Sequence, residues 1–182
     1  MRVAEAVGRA LAENGVRQVF GVVGSGNFHV TNALVAAGAR FVAAAHEGGA
    51  ASMADAYARV SGQLGVLSLH QGPGVTNALT GLTEAAKSRT PLLVLAAEAT
   101  APRSNFFVDL ASVAAGLGAG FVRVRSEQRV YADLATAYRM ATEPPGGTVV
   151  LGLPLDVQNA DAPAPPAAPG PARSAAADPP PA

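Results

Sequence analysis

The chain has 182 residues, 49% of them hydrophobic and 14% charged, and its 13 basic and 13 acidic side chains give a formal net charge of zero. That length suits one domain with an ordinary core, the charge balance gives no support for the basic face that nucleic acids need, so no nucleic-acid partner is expected, and the lack of cysteine excludes disulfides, zinc–thiolate centres and cysteine nucleophiles. No stretch reaches the roughly 18 uninterrupted apolar residues of a membrane span, and Glu5 and Glu13 interrupt a would-be signal peptide, so a soluble cytoplasmic protein is expected. Residues 2–14 carry Val3, Ala6, Val7, Ala10 and Leu11 at helical spacing and stop at Gly15. Residues 18–23 read as a short strand, Gly24-Ser25-Gly26-Asn27 as a turn, and 29–37 as a helix closed by Gly38. A strand over 41–45 and a helix over 47–60 follow, the helix ending near Gly62. Next come a strand over 65–69, a sharp loop at Gln71-Gly72-Pro73-Gly74, a helix over 75–88 and a strand over 92–97. A Gly-broken helical segment spans 106–118, a strand 120–124, a helix 127–142 and a last strand 148–153. Apolar strands alternating with helices of 10–15 residues predict parallel βαβ units. The expected fold is a three-layer α/β/α domain with a mainly parallel sheet of about six strands, covered on both faces.

Composition changes from Asp161 onward. That stretch holds 8 of the chain's 14 prolines and no Leu, Ile, Val or aromatic residue. It lacks the apolar surface to offset the entropy of ordering. The expected organisation is one domain over 1–158 and a Pro/Ala-rich linker or disordered tail over 159–182.

Three Gly-rich loops follow strands and fall on one edge of a parallel sheet: residues 21–27, 46–49 and 70–77. Glycine permits close approach of a ligand to the backbone, and helix N-termini offer free N–H donors. The first loop does not match G-x-G-x-x-G, because its glycines stand at 21, 24 and 26. Glu47 appears where a strand-like run ends and a helix begins. An acid there complements the helix dipole; the same place faces a ligand bound beyond the strand ends. His70 is either a loop histidine bonded to backbone or a proton donor or substrate contact. Thr76 and Asn77 open a helix and are candidates for capping it. Asp55 reads as a solvated or locally bonded helix acid, Arg59 and Lys87 as surface charges, and His29 as a helix-surface residue. The three histidines lack metal-ligand spacing, so no metal is expected in this domain.

Five segments together resemble one family. They are Val19-Phe20-Gly21-x-x-Gly24, His46-Glu47-x-x-Ala50-x-x-Met53-Ala54-Asp55-x-Tyr57-Ala58-Arg59, Gly72-Pro73-Gly74-x-Thr76-Asn77, Pro91-Leu92-Leu93 and Leu153-Pro154-x-Asp156-Val157. Across residues 1–158 the chain resembles the N-terminal, pyrimidine-binding domain of thiamine-diphosphate enzymes of the acetolactate synthase, pyruvate oxidase and benzoylformate decarboxylase group. The resemblance implies thiamine diphosphate as cofactor. It also implies that Glu47 bonds N1′ of the aminopyrimidine and so promotes loss of the thiazolium C2 proton, with the cofactor serving as electron sink. His70 matches a histidine found in some decarboxylases of the group, where acetolactate synthases carry a smaller polar residue. By the same matching, Gly24, Ser25, Gly72, Pro73, Gly74 and Asn77 line the cofactor.

The pattern departs at Val23-Gly24, usually Pro-Gly, and at Val108, usually glutamine. Family enzymes also carry a central domain and a diphosphate domain that binds Mg²⁺, and the 182 residues hold neither. The resemblance therefore implies a partner diphosphate domain or subunit, a homo- or hetero-oligomer, and no turnover by the isolated chain. Three readings stand: one half of a two-part enzyme, a fragment or inert truncated paralogue, or a non-catalytic α/β nucleotide- or cofactor-binding protein.

Overall fold

The computed structural model describes residues 1–166. In chain order the elements are α1 (Val3–Glu13), β1 (Gln18–Gly21), α2 (Phe28–Ala36), β2 (Arg40–Ala43), α3 (Glu47–Ser61), β3 (Gly65–Leu69), α4 (Pro73–Asn77) and α5 (Leu79–Lys87). Then follow β4 (Leu92–Glu98), α6 (Leu110–Leu117), β5 (Gly120–Arg123), a 3₁₀ turn (Glu127–Arg129), α7 (Val130–Thr142), β6 (Thr148–Pro154) and α8 (Leu155–Asn159). The six strands are all parallel, in the order β2-β1-β3-β4-β6-β5. The α/β fold expected from the strand–helix alternation is the one present.

Two apolar layers sandwich the sheet. On one face Val3, Val7 and Leu11 of α1, Val30 and Leu34 of α2, and Leu134 and Ala137 of α7 pack on Leu93, Leu95, Leu151 and Leu153. On the other face Ala50, Ala51 and Ala54 of α3 and Leu82 and Ala85 of α5 pack on Leu67, Leu69, Val94 and Ala96. Every residue of β3, β4 and β6 is buried, whereas edge strand β2 is half-exposed. That is the burial a doubly covered parallel sheet requires.

Several boundaries differ from expectation, each for a local reason. The helix expected over 75–88 starts earlier, with Pro73 in its first turn, and breaks at Ala78 into α4 and α5. The helical segment expected from 106 begins only at Leu110, because the Asp109 carboxylate accepts from the N–H groups of Ala111 (3.1 Å) and Ser112 (3.2 Å) and caps the helix there. Helix α8 falls across the domain boundary expected at 158. Residues beyond it return to the N-terminus: Val3 N–H donates to Ala160 O (3.0 Å), and Ala162 N–H to Met1 O (2.9 Å). The rest of the expected tail, residues 167–182, lies outside the described residues. Among the described residues no helix is long and apolar enough to cross a membrane.

One buried acid ties α7 to the loop after β5. Asp133, 1% exposed, accepts from Arg125 N–H (3.1 Å), Arg125 Nη2 (2.8 Å) and Arg129 Nε (3.3 Å). Burial pushes its carboxyl up, but the hydrogen bonds and charge of Arg125 outweigh that and hold it below the ordinary aspartate value.

This topology positions the site. Strand β1 lies between β2 and β3. The chain leaves β1 through α2 on one face and reaches β3 through α3 on the other. The two helices therefore part at the carboxyl ends of β1 and β3, the switch point at which open α/β sheets form a crevice.

Candidate active site

Helix α3 starts at this edge because His46 is extended (φ −154°, ψ 143°) and its Nδ1 accepts from Gly48 N–H (3.1 Å). It ends at Gly62, which is left-handed. His46 is thus a helix cap, and Glu47 stands half-buried in the first turn. The dipole account of an acid here is satisfied, but a second contact lies outside it: Glu47 Oε2 accepts from Asn77 Nδ2 at 3.0 Å, thirty residues along the chain. Asn77 is the last residue of α4, not its cap. Gly72 turns the chain at φ +62°, ψ −111°, a conformation side chains resist, and so brings α4 back over α3. Gly74 sits between the two predicted catalytic side chains. A Cβ built on it would lie 3.6 Å from Glu47 Oε1 and 3.1 Å from His70 Cβ. Among the described residues, Glu47 Oε1 accepts no hydrogen bond.

His70 follows β3 directly. Its Nδ1 accepts from Gly26 N–H (3.1 Å), so a neutral ring here carries its proton on Nε2. Phe106 packs edge-on against the ring, with centroids 5.5 Å apart and planes at 75°. Both the backbone-bonded reading and the functional reading of His70 survive, because the backbone occupies only one nitrogen.

The loop carrying Gly24, Ser25 and Gly26 is held by residues that sequence reasoning passed over. Asn27 Oδ1 accepts from Gly24 N–H (2.8 Å), while its Nδ2 donates to Val22 O and to Ser68 Oγ (3.1 Å each). Thr31 Oγ1 completes the buried cluster at 2.8 Å from Ser68 Oγ. A serine inside the apolar run Val66-Leu67-Ser68-Leu69 was the signal available. Ser25 and Pro73 are exposed at the rim, and His29 lies exposed on α2. Asp55 is buried rather than solvated: it accepts from Thr90 Oγ1 (2.6 Å) and Arg59 Nε (2.9 Å). Arg59 also reaches Glu84 (3.1 Å), which with Asp55 holds its guanidinium above the usual value.

Further along the edge, Arg123 of β5 grips the buried Glu98 of β4 through two bonds (2.8 and 2.6 Å) and lies 5.3 Å from the Phe121 ring centroid. The bonds to Glu98 raise the Arg123 pKa. Each oxygen of Glu98 is taken, so this is a clasp between strands. A groove of about 800 Å³ runs between α1 and α2 past Arg9, Glu13 and Arg17, and neither Glu47 nor His70 lines it.

Residues 1–112, which include every candidate side chain, match the family model described as thiamine pyrophosphate enzyme, N-terminal TPP binding domain. The chain belongs to this family. It is 33% identical over 161 residues to the acetolactate synthase isozyme 3 large subunit of Escherichia coli K12, an alignment covering 86% of this chain and 28% of that protein. It is 45% identical over 91 residues to the probable 2-ketoarginine decarboxylase AruI of Pseudomonas aeruginosa PAO1, covering 50% and 16%. It is 37% identical over 99 residues to the sulfoacetaldehyde acetyltransferase of Castellaniella defragrans, covering 54% and 17%. The chain thus spans less than a third of the curated relatives it matches. In this TPP-enzyme N-terminal domain, Asn77 bonds Glu47, Gly74 lies against both Glu47 and His70, and Gly24 lies against the His70 ring, so segments that follow three strands converge at this edge.

Proposed function

We propose that the chain supplies the aminopyrimidine half of a thiamine-diphosphate site in a 2-oxo-acid decarboxylase or acetolactate-synthase-like enzyme. The observation that carries this reading is the state of Glu47: Oε2 is fixed by Asn77 and Oε1 is unbonded beside Gly74. A carboxyl group so held suits exchange of one proton with a ring nitrogen, and the bare backbone at Gly74 suits a flat ring laid against it. These features fit the cofactor's pyrimidine. When bound, thiamine diphosphate supplies the electron sink for cleavage or bond formation beside a carbonyl group.

The chain's own residues would divide the work. Glu47 holds and returns the proton at N1′ of the pyrimidine. Asn77 keeps the Glu47 carboxyl from turning away, while Gly24, Ser25, Gly72 and Pro73 shape the walls. His70 offers Nε2–H to the substrate, with Gly26 and Phe106 setting its plane. The diphosphate and its Mg²⁺ would be held by a partner domain, consistent with relatives more than three times as long as their matched part. Val23, Phe28, Phe106 and Phe107 are exposed on the loops and first helical turn around this edge, apolar surface that such a partner would cover.

The test uses the chain itself and the pyrimidine alone, 4-amino-5-hydroxymethyl-2-methylpyrimidine, in an NMR titration. Saturable shifts at Glu47, Gly74 and the Asn77 side-chain amide, weakened in Glu47→Gln, are expected. Shifts elsewhere, or equal shifts in the variant, refute the reading.

A further inference from the structure

A cavity of about 180 Å³ lies on the far side of Gly26 from His70, between the β1–α2 loop and α8. Ser25, His29, Gln71, Gln158, Asn159 and Leu155 line it. The lining thus offers a hydroxyl, an imidazole, three carboxamides and one apolar side chain, and contains no Asp, Glu, Lys or Arg. Its volume is several times the ~30 Å³ share of one water, enough for a small functional group.

Gln71 is the unusual member. It is 5% exposed, and its Oε1 is the buried side-chain nitrogen or oxygen without a hydrogen-bond partner among the described residues. Gln158 on the opposite wall is as buried, yet its Nε2 donates to Leu153 O at 2.8 Å. Space for the Gln71 amide depends on Gly26, where a Cβ would fall 1.7 Å from Oε1. Gln71 lies between β3 and the Gly72 turn, so its backbone is pinned. An unpaired buried amide at a pinned position is a net loss to the fold, and an apolar side chain of the same length would remove that loss. Polar groups kept against stability are a mark of binding sites.

We propose that this cavity is a recognition pocket for an uncharged group that both donates and accepts hydrogen bonds, a carboxamide or hydroxyl, and that Gln71 reads it. A donor on the ligand satisfies Oε1 while Nε2 of the same amide donates back. A carboxylate has no proton to give the unpaired Oε1 and an ammonium group has no lone pair for Nε2, so neither satisfies both ends of the Gln71 amide. Gly26 joins the pocket to His70 through its N–H bond to Nδ1.

The experiment has two arms on the full chain. In the first, acetamide and sodium acetate are titrated separately against labelled protein and followed by NMR, with binding of so small a probe expected at about millimolar concentrations or weaker. Saturable shifts of the Gln71 side-chain amide and Gly26 N–H with acetamide, absent with acetate and lost in Gln71→Met, are expected. In the second arm, Gln71→Met without ligand should raise the thermal midpoint by about 2–4 °C. A lowered midpoint means that an ordered water already satisfies the amide and that Gln71 is structural. That result, equal shifts with both probes, or no saturable shift with acetamide overturns the proposal. Neither arm uses thiamine, so failure of the pyrimidine titration and failure here are separate outcomes.

Discussion

Alanine at two glycines of this edge, Gly72 and Gly49, should have opposite effects. At Gly72, φ +62° and ψ −111° place the residue where side chains rarely go, and a Cβ would meet the Phe106 backbone at 2.8 Å (O) and 3.0 Å (Cα). The strain is worth about 1–3 kcal/mol, and forcing the backbone at 106 to move adds about 1–3 kcal/mol. Against this, alanine recovers only about 0.4–1 kcal/mol from the unfolded chain. Gly72→Ala should therefore cost about 1–5 kcal/mol, which lowers the thermal midpoint by roughly 2–20 °C in a chain of this length. Gly49, in the first turn of α3, is exposed, and a Cβ there meets nothing within 4 Å. Gly49→Ala should be neutral or stabilising by up to about 1 kcal/mol. Thermal unfolding followed by far-ultraviolet circular dichroism measures both. Equal midpoints for the two variants would refute the idea that the turn at Gly72 is sterically committed to the Phe106 segment.

Asp133 has a folded pKa below its unfolded value, so its contribution is present above the unfolded pKa of about 3.9 and is lost as pH falls through the lower folded value. Asp133→Asn should flatten the loss of urea stability across that acid window while leaving the slope near neutrality unchanged; an unaltered acid limb would count against it. Arg123→Met strands the buried Glu98 carboxylate and should cost about 2–3 kcal/mol, less than the roughly 3–5 kcal/mol of a fully buried pair because the Arg123 side chain is 41% exposed. The double variant Glu98→Met/Arg123→Met should regain at least half of that in chemical denaturation, and a double variant no better than the single one argues against a clasp. With Val23, Phe28, Phe106 and Phe107 exposed around the site, the purified chain should self-associate as concentration rises. A sharply monomeric profile in analytical ultracentrifugation at high concentration would contradict the docking role of that face.

Features carried by local pattern were legible in the residues. The run at 65–69 ends where apolar character ends, and α3 is bracketed by a first-turn acid and Gly62. The five-residue α8 has too few turns to show a period, so it disappeared into a boundary. The break at Ala78 likewise leaves the hydrophobic spacing of 75–88 intact. At the site, the order of the three loops along one edge followed from parallel strands, but the pairings within it did not. Asn77 reaches Glu47 over thirty residues, and Asn27 reaches Ser68 over forty-one. Such contacts depend on the register of β1 beside β3, which no local spacing encodes. Asp55 shows the same limit: its bond to Arg59 one turn on is the local partner a helix acid can find, whereas its bond to Thr90, thirty-five residues on, has no local signature.

The central claim is that Glu47 moves a proton for the cofactor, and hydrogen–deuterium exchange at C2 of thiamine diphosphate reports it most directly. The chain would be combined with a diphosphate-binding domain of the same enzyme class, Mg²⁺ and thiamine diphosphate, and exchange followed by NMR. Gln at position 47 keeps the shape and a hydrogen bond but cannot trade the proton, so Glu47→Gln should slow exchange by about 10²–10⁴-fold. His70→Ala should leave the exchange rate unchanged and affect substrate steps alone. Exchange at the wild-type rate in Glu47→Gln would leave Glu47 as no more than the first-turn acid of α3 and would contradict the account.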